Sequence, residues 1–393
     1  MTTTGWTAPA FVQGILLVPV VTGSLYSVLC LVTLAVLRRR MARPRTAPRE
    51  WPPVSVLKPI YGLEKGLLEN LRSTCAQDYP DFHVVFSTQR RDEPALPLIR
   101  EVQQEFGEER VTVVVDETPR RVPNGKIRNL MGGLAAARHQ TLVISDSDVR
   151  LRPDYLKTLV PPLSEPGVGC ACTFYKAVGA RRWYEVLEQL TYNADFLANL
   201  IFASVTGVQR FLLGASTAIT RAMLEEIGGL QALGDYLVED FEMGFRVARV
   251  GKRIVHVPYF VDTIVDLKSP RQWWDHTVYW DQNTRAANPG GLFATVLIRA
   301  VPFALLFALV RLFDPWGLAV LLAATGWRLA TTAAFLAGIG DREGLRGLWL
   351  LPLRDIAGLA SWALAFVQPV VVWRDAQFVL GRDGRMVPRD EAR

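Results

Sequence analysis

Thr141-Leu-Val-Ile-Ser-Asp146-Ser-Asp148-Val-Arg150 is an apolar run of β-formers that ends in two carboxylates one residue apart. In an open α/β sheet, ligands gather outside the carboxyl ends of the strands, so a strand ending in acids delivers them to a site. Side chains alternate along extended backbone, so Asp146 and Asp148 are expected to face the same way and to converge on one hard divalent cation. Taken alone, the tripeptide is better explained as a solvated turn rich in Asp and Ser. The surrounding chain decides between the two.

Upstream, Val54-Ser-Val-Leu-Lys58-Pro59 reads as a buried strand closed by its proline, His83 to Thr88 as a second strand and Val111 to Val115 as a third. Helical patterns over Leu67 to Ala76, Pro94 to Phe106 and Ile127 to Ala137 separate them, and Leu142 to Ser145 is the fourth strand. Strands alternating with helices predict a parallel sheet with helices on its faces. Further on, the pattern predicts a strand over Val168 to Tyr175 and one long helix from Trp183 to Phe202. It then predicts a strand-like run from Phe211 to Thr220, a helix from Arg221 to Ile227, and another opening at Tyr236-Leu-Val-Glu239-Asp240. Acids at a helix start are favourable against its dipole, which alone explains Glu239 and Asp240.

Both ends of the chain are apolar. Half of the 393 residues are hydrophobic although 21% are charged, and the charge is concentrated in the middle. Phe11 to Leu37 carries no charged side chain and is long enough to span a bilayer. Arg38-Arg39-Arg40, Arg43 and Arg45 come next, placing its C-terminal side in the cytoplasm. Met1 to Ala10 carries no charge, so an uncleaved anchor is expected rather than a signal peptide. Near the other end, Ala294–Phe313, Trp316–Ile339 and Trp349–Trp373 are candidate spans by length, interrupted by Arg299, Arg311 and Arg328. Three spans would put the basic tail outside; two spans and an interfacial helix would keep it inside. Length alone favours three. The expected organisation is an anchor over 1–40, a linker over 41–53 and an α/β domain over 54–290. A membrane region over 291–375 and a polar tail over 376–393 complete it.

The net charge of +6 is accounted for by juxtamembrane arginines facing anionic lipid, and no basic stripe interleaved with aromatics points to nucleic acid. Cys30 lies in the first span; Cys75, Cys170 and Cys172 lie in the part expected to be cytoplasmic, where thiols stay reduced. Cys170-x-Cys172 lacks a second ligand pair at zinc-site spacing.

Polar residues collect where strands end: Lys58, Asp92, Lys126 in Asn124-Gly-Lys126-Ile-Arg-Asn129, then Asp146 and Asp148, with Asp240 and Trp280 downstream. This set resembles inverting glycosyltransferases with a GT-A (Rossmann-like) α/β fold. More closely it resembles the ceramide glucosyltransferase family (glycosyltransferase family 21), including its bacterial hopanoid-associated branch. The likeness is carried by Val54 to Pro59, Asn70-Leu71, Gln77-Asp-Tyr-Pro80, Asp92-Glu-Pro94, Lys126 to Leu130 and Asp146 to Arg150. It continues in Gly228-Gly229-Leu230, Val238-Glu-Asp240 and Trp280.

The resemblance implies a membrane-anchored enzyme that transfers glucose or N-acetylglucosamine from a UDP-sugar to a hydroxyl of a ceramide- or hopanoid-type lipid. The catalytic domain would face the cytoplasm, at the inner membrane of a bacterium. It assigns Asp240 as general base and Lys58, Asp92, Lys126, Asp146, His276 and Trp280 to the nucleotide-sugar. Asp148 with Asp146 would hold Mg2+ or Mn2+ on the diphosphate. One departure stands out. Where the family carries Arg-Trp, the chain reads His276-Thr-Val-Tyr279-Trp280, with Arg285 about a turn later as a substitute. Losing a guanidinium removes a bidentate clamp on the diphosphate. A processive polysaccharide synthase, a polyprenyl-phosphate glycosyltransferase and a non-catalytic nucleotide-sugar-binding membrane protein are the alternative readings. Trp273 and Trp274 are expected in an interfacial aromatic belt, and Phe196 to Leu213 at the membrane surface or in the core.

Overall fold

Val54–Pro59 (β1) is hydrogen-bonded on both edges, to Phe82–Thr88 (β2) and to Thr141–Ser145 (β4), and both pairings are parallel. Every residue of these three strands is buried, as expected for a sheet covered on both faces. Val54, Val56 and Leu57 are fully inaccessible, and burying each such side chain contributes about 1.5–3 kcal/mol. The computed structural model describes residues 9–43, 48, 50–207, 212–373, 376–381 and 383–389. Arg45, Phe211 and the tail residues after Arg389 lie outside the described residues.

The chain divides into two compact units. One comprises Arg39–Val178, Gly207–Asp266 and Val370–Arg393. Its eight-stranded sheet is completed by Val111–Val115 (β3), Val149–Arg150 (β5), Val168–Val178 (β6), Ser216–Thr220 (β7) and Arg253–Ile264 (β8), in the order β3-β2-β1-β4-β7-β6-β8-β5. The first four are parallel, as the strand–helix alternation predicts; β7 then runs antiparallel to β4 and β6. The sequence reading has no counterpart for β8. Pro258 argues against a strand there, yet the register slips between Thr173/Phe174 opposite Val257 and Phe260, and the proline sits in that irregularity.

The segment expected as a polar tail carries strands. Val370–Trp373 (β9), Ala376–Leu380 (β10) and Met386–Pro388 (β11) form an antiparallel sheet of their own. That sheet belongs to the unit built on β1–β8. The third candidate span therefore ends at Val367 rather than Trp373, and residues 370–373 pair as a strand.

The other unit comprises Met1–Arg38, Gly179–Thr206 and Leu267–Pro369, so residues 179–206 and 267–290 of the domain expected over 54–290 fall in it. Its described part is helical. Ala10–Met41, Pro315–Ile339 and Leu348–Val367 are each long and apolar enough to cross a membrane. The first candidate span of the C-terminal region is not one helix: Pro289–Ile298 and Ala300–Val310 meet at 56° around Arg299. Trp183 to Phe202 is helical as expected, with a π-helical turn over Thr191–Phe196 between Trp183–Leu190 and Leu197–Thr206. That turn buries Asn193, whose amide donates to Asp341 at 2.7 Å. Arg328 does not reach for water; its guanidinium pairs with Asp195 and Asp355. Trp273 is buried, against the expectation of an interfacial belt.

Candidate active site

The strand β4 ends at the fully buried Ser145, and Asp146-Ser147-Asp148 turns the chain into β5. The turn is closed by Val149 N–H donating to the Asp146 carbonyl at 3.2 Å. The two carboxylates are therefore held by a turn and not by the alternation of an extended strand. Lys58, at the end of β1, lies wholly inside. Its ammonium donates to the carbonyls of Asp146 (2.7 Å) and Val149 (3.2 Å) and to Ser145 Oγ (3.3 Å). Burial pulls its pKa down to about 8, against the opposing pull of Asp148 and Asp146. Here the lysine pins the backbone of the acidic turn. Asn70 adds a second brace by donating to the Ser147 carbonyl at 3.1 Å and accepting from Arg150 Nε.

Asn124 caps the Gly125–Ala136 helix, accepting from Ile127 N–H at 3.0 Å. The cap aims Lys126 at the end of the sheet. Its Nζ lies 2.6 Å from Asp146 Oδ1 and 3.0 Å from Glu239 Oε1, and donates to the Gly214 carbonyl at 3.4 Å. Burial disfavours its charge, but Asp146, Glu239 and Asp240 outweigh that and hold the ammonium protonated well above the usual lysine range. In the sequence Glu239 is legible only as a helix-start acid; no local pattern distinguishes it from Asp240, and its role appears only through Lys126 and Asn124 Nδ2 (3.2 Å).

Asp240 opens the Glu239–Arg249 helix. Its Oδ2 accepts from Gly214 N–H at 2.7 Å and its Oδ1 from its neighbour Phe241 N–H at 2.8 Å. Burial first, and the charge of Glu239 second, push its pKa up to about 7, although Lys126 and the two backbone donors act against them. A carboxyl near 7 is poised to take a proton at neutral pH. Asp148 is raised to about 8 by burial, with Asp146 and Glu64 adding to it.

Among the described residues no group of three or more His, Cys, Asp and Glu side chains is arranged to hold a metal ion. The pair Asp146 and Asp148 nonetheless fits one in chemistry. Both are hard oxygen donors, Mg2+ typically takes one or two protein carboxylates with substrate phosphates, and a cation would offset the burial, and the charge of Asp146 and Glu64, that raise the Asp148 carboxyl.

Asp92 stands apart from this network. Its side chain is 84% exposed and its ion-pair partner is Arg90 at 3.6 Å, whereas the neighbouring Glu93 is buried and accepts from Gly62 N–H at 2.7 Å. His276 and Trp280 lie in the helical unit, on the Pro270–Ala287 helix. Trp280 Nε1 donates to His276 Nε2 at 3.2 Å, so the imidazole proton is on Nδ1, 2.6 Å from the buried Glu188. Tyr279 stacks on His276, and Trp280 packs against Tyr192 and Phe196.

The sequence matches Glycosyl transferase family 21 over residues 15–386. The chain belongs to that family. Among its family 21 relatives, Ceramide glucosyltransferase 1 of Caenorhabditis elegans is 26% identical over 48% of this chain and 41% of its own length. Ceramide glucosyltransferase 3 of the same organism is 21% identical over 86% of this chain and 74% of its own. The ceramide glucosyltransferase of Gibberella zeae is 29% identical over 46% and 34%. The matched part thus spans less than half the length of the first and third. A mannosyltransferase from Pyrobaculum calidifontis, solved with GDP-Man and Mn2+, superposes over 90% of this chain and 98% of its own with a TM-score of 0.53 at 20% identity. At that identity the likeness is one of fold, and it is the GT-A fold.

Proposed function

We propose that this family 21 protein transfers a hexose, glucose or N-acetylglucosamine, from a UDP-sugar to a hydroxyl of a membrane lipid, with inversion at the anomeric carbon. The observation that carries the reading is Asp240: a carboxyl with a pKa of about 7, at a helix start, in the same cluster as Lys126, Glu239 and Asp146. Asp240 takes the proton from the acceptor hydroxyl as its oxygen attacks the sugar. A single displacement assisted by one base inverts the anomeric centre, so an α-linked donor yields a β-glycoside. Lys126 supplies positive charge where the nucleoside diphosphate departs, and Lys58 and Asn70 keep the Asp146–Asp148 turn in place. A divalent cation held by Asp148 and Asp146 would neutralise charge on the leaving diphosphate.

A lipid acceptor is supported by the names of the relatives and by three helices long and apolar enough to cross a membrane. The basic run Arg38 to Arg40 after the first of them supports a cytoplasmic catalytic unit. The test is incubation of the purified protein with total lipid extract and a panel of UDP-sugars, followed by mass spectrometry of new glycolipids. Equal transfer to soluble acceptors without a lipid tail would remove the lipid assignment. Full activity in Asp240→Asn would remove the base.

A further inference from the structure

We infer that the Leu348–Val367 helix, although long and apolar enough to cross a bilayer, does not cross it. Its apolar stripe lies in the leaflet on the catalytic side, and the broken pair Pro289–Val310 makes the crossing instead.

The first span is a ruler for depth. At its N-terminal end, Gln13 accepts from Arg311 Nη1 at 2.7 Å. One to two turns on, Val20 packs with Ala304 and Ala324 in one buried cluster. Thr22 donates to the Leu297 carbonyl, and a methyl on Gly23 would lie 2.7 Å from the Ile298 carbonyl oxygen. Trp327 Nε1 donates to the Ser24 carbonyl and to Ser27 Oγ, both at 3.1 Å, and a methyl on Gly338 would lie 2.7 Å from Leu34 Cδ2.

Along Ala10–Met41, the partners on Pro315–Ile339 ascend from 324 through 327 to 338, while those on the broken pair descend from 311 through 304 to 297. The two long helices therefore run parallel. Parallel spans need one crossing in the opposite sense between them, and the antiparallel register belongs to Pro289–Val310. The break at Arg299 falls opposite Gly23, near mid-span. The eleven residues of Ala300–Val310, at 1.5 Å each, cover roughly 16 Å, about half of a ~30 Å hydrocarbon core.

The segment after Ile339 starts on the side where the first span ends. Glu343 accepts from the backbone of Gly179, the residue after β6, at 2.9 Å. The chain after Val367 rejoins the sheet-containing unit, where Met386 N–H donates to the Asp235 carbonyl at 2.7 Å, and that unit continues covalently from the C-terminal end of the first span at Arg39. Leu348–Val367 therefore enters and leaves on one face. Its surface agrees: Trp349, Leu353, Ile356 and Val367 are exposed on one stripe, and the opposite stripe buries Arg354, Asp355 and Ser361. An apolar face with polar residues turned to the protein is the pattern of a helix lying in the acyl–headgroup boundary.

The test uses the full chain in sealed membrane vesicles of both orientations and a membrane-impermeant maleimide. All four native cysteines are buried. Single reporters are Leu312→Cys, Arg342→Cys and Asp383→Cys, with Arg346→Cys in place of Arg342→Cys should the latter not accumulate; labelling in detergent sets the full signal. Arg342→Cys and Asp383→Cys are expected to label from one face and Leu312→Cys from the other. Labelling of Arg342→Cys and Asp383→Cys from opposite faces would overturn the inference, as would labelling of Leu312→Cys from the same face as Asp383→Cys. The outcome is independent of whether any sugar is transferred.

Discussion

Gly214 and Asp240 fit only as a pair. The glycine N–H donates to Asp240 Oδ2 at 2.7 Å, and a Cβ on Gly214 would lie 2.6 Å from the same oxygen. The carboxyl is held by a backbone that tolerates no side chain. Gly214→Ala is expected to push the carboxyl out of line and to lower kcat about 100-fold, since a misplacement of ~1 Å costs that much. Steady-state kinetics beside circular dichroism check it; a normal kcat in a folded variant would show that the contact does not position the base.

Asp240 also sets a pH dependence. A base must be deprotonated to act, so with a pKa near 7 activity is lost as pH falls through 7 and retained above it. The kcat/KM profile should rise about tenfold per pH unit on the acid side and level off above pH 7 to 8. A limb near pH 4 would mean that burial does not raise this carboxyl in solution.

Lys126 neutralises Asp146 and Glu239 together. In Lys126→Met both carboxylates lose their partner, and removing one member of a buried ion pair costs about 3 kcal/mol. Urea denaturation should show that loss, and the donor KM should rise. The same variant with unchanged stability and unchanged KM would make the pairing incidental.

The C-terminal strands bear on the site through the loop before Glu239. Leu237 N–H donates to the Gly384 carbonyl at 3.3 Å, Arg385 lies over the Tyr236 ring, and the Tyr236 carbonyl accepts from Asn124, the cap of the Lys126 helix. Met386→Pro deletes the N–H that bonds Asp235. The expected result is a fall in kcat of about tenfold with little change in donor KM, read against a Tm that keeps the fold intact.

Much of the catalytic unit is legible in the sequence because its signals are local. β1 to β4 and the helices between them come from periodicity within ten or so residues, and their bounds agree with the reading to within two residues. The acids at 146, 148 and 240 and the lysine at 126 stand out by position at strand and helix ends. β8 is hidden by Pro258, and the Trp183 to Phe202 pattern conceals a π-turn in which Asn193 donates to Asp341, far away in sequence. The resemblance puts Lys58 among the nucleotide-sugar residues; in the structure it is buried beneath the turn.

The sequence alone determined that a parallel-led sheet would end in acids and that both termini would be apolar, since strand alternation and hydropathy are properties of neighbouring residues. Only the tertiary structure decided that Lys126 joins Asp146 to Glu239, that the last strands return to the sheet-containing unit, and which apolar helices run parallel. Each of those facts is a pairing between residues far apart in the chain, and whether an apolar helix crosses a bilayer depends on where its two ends are held, which its own composition does not contain.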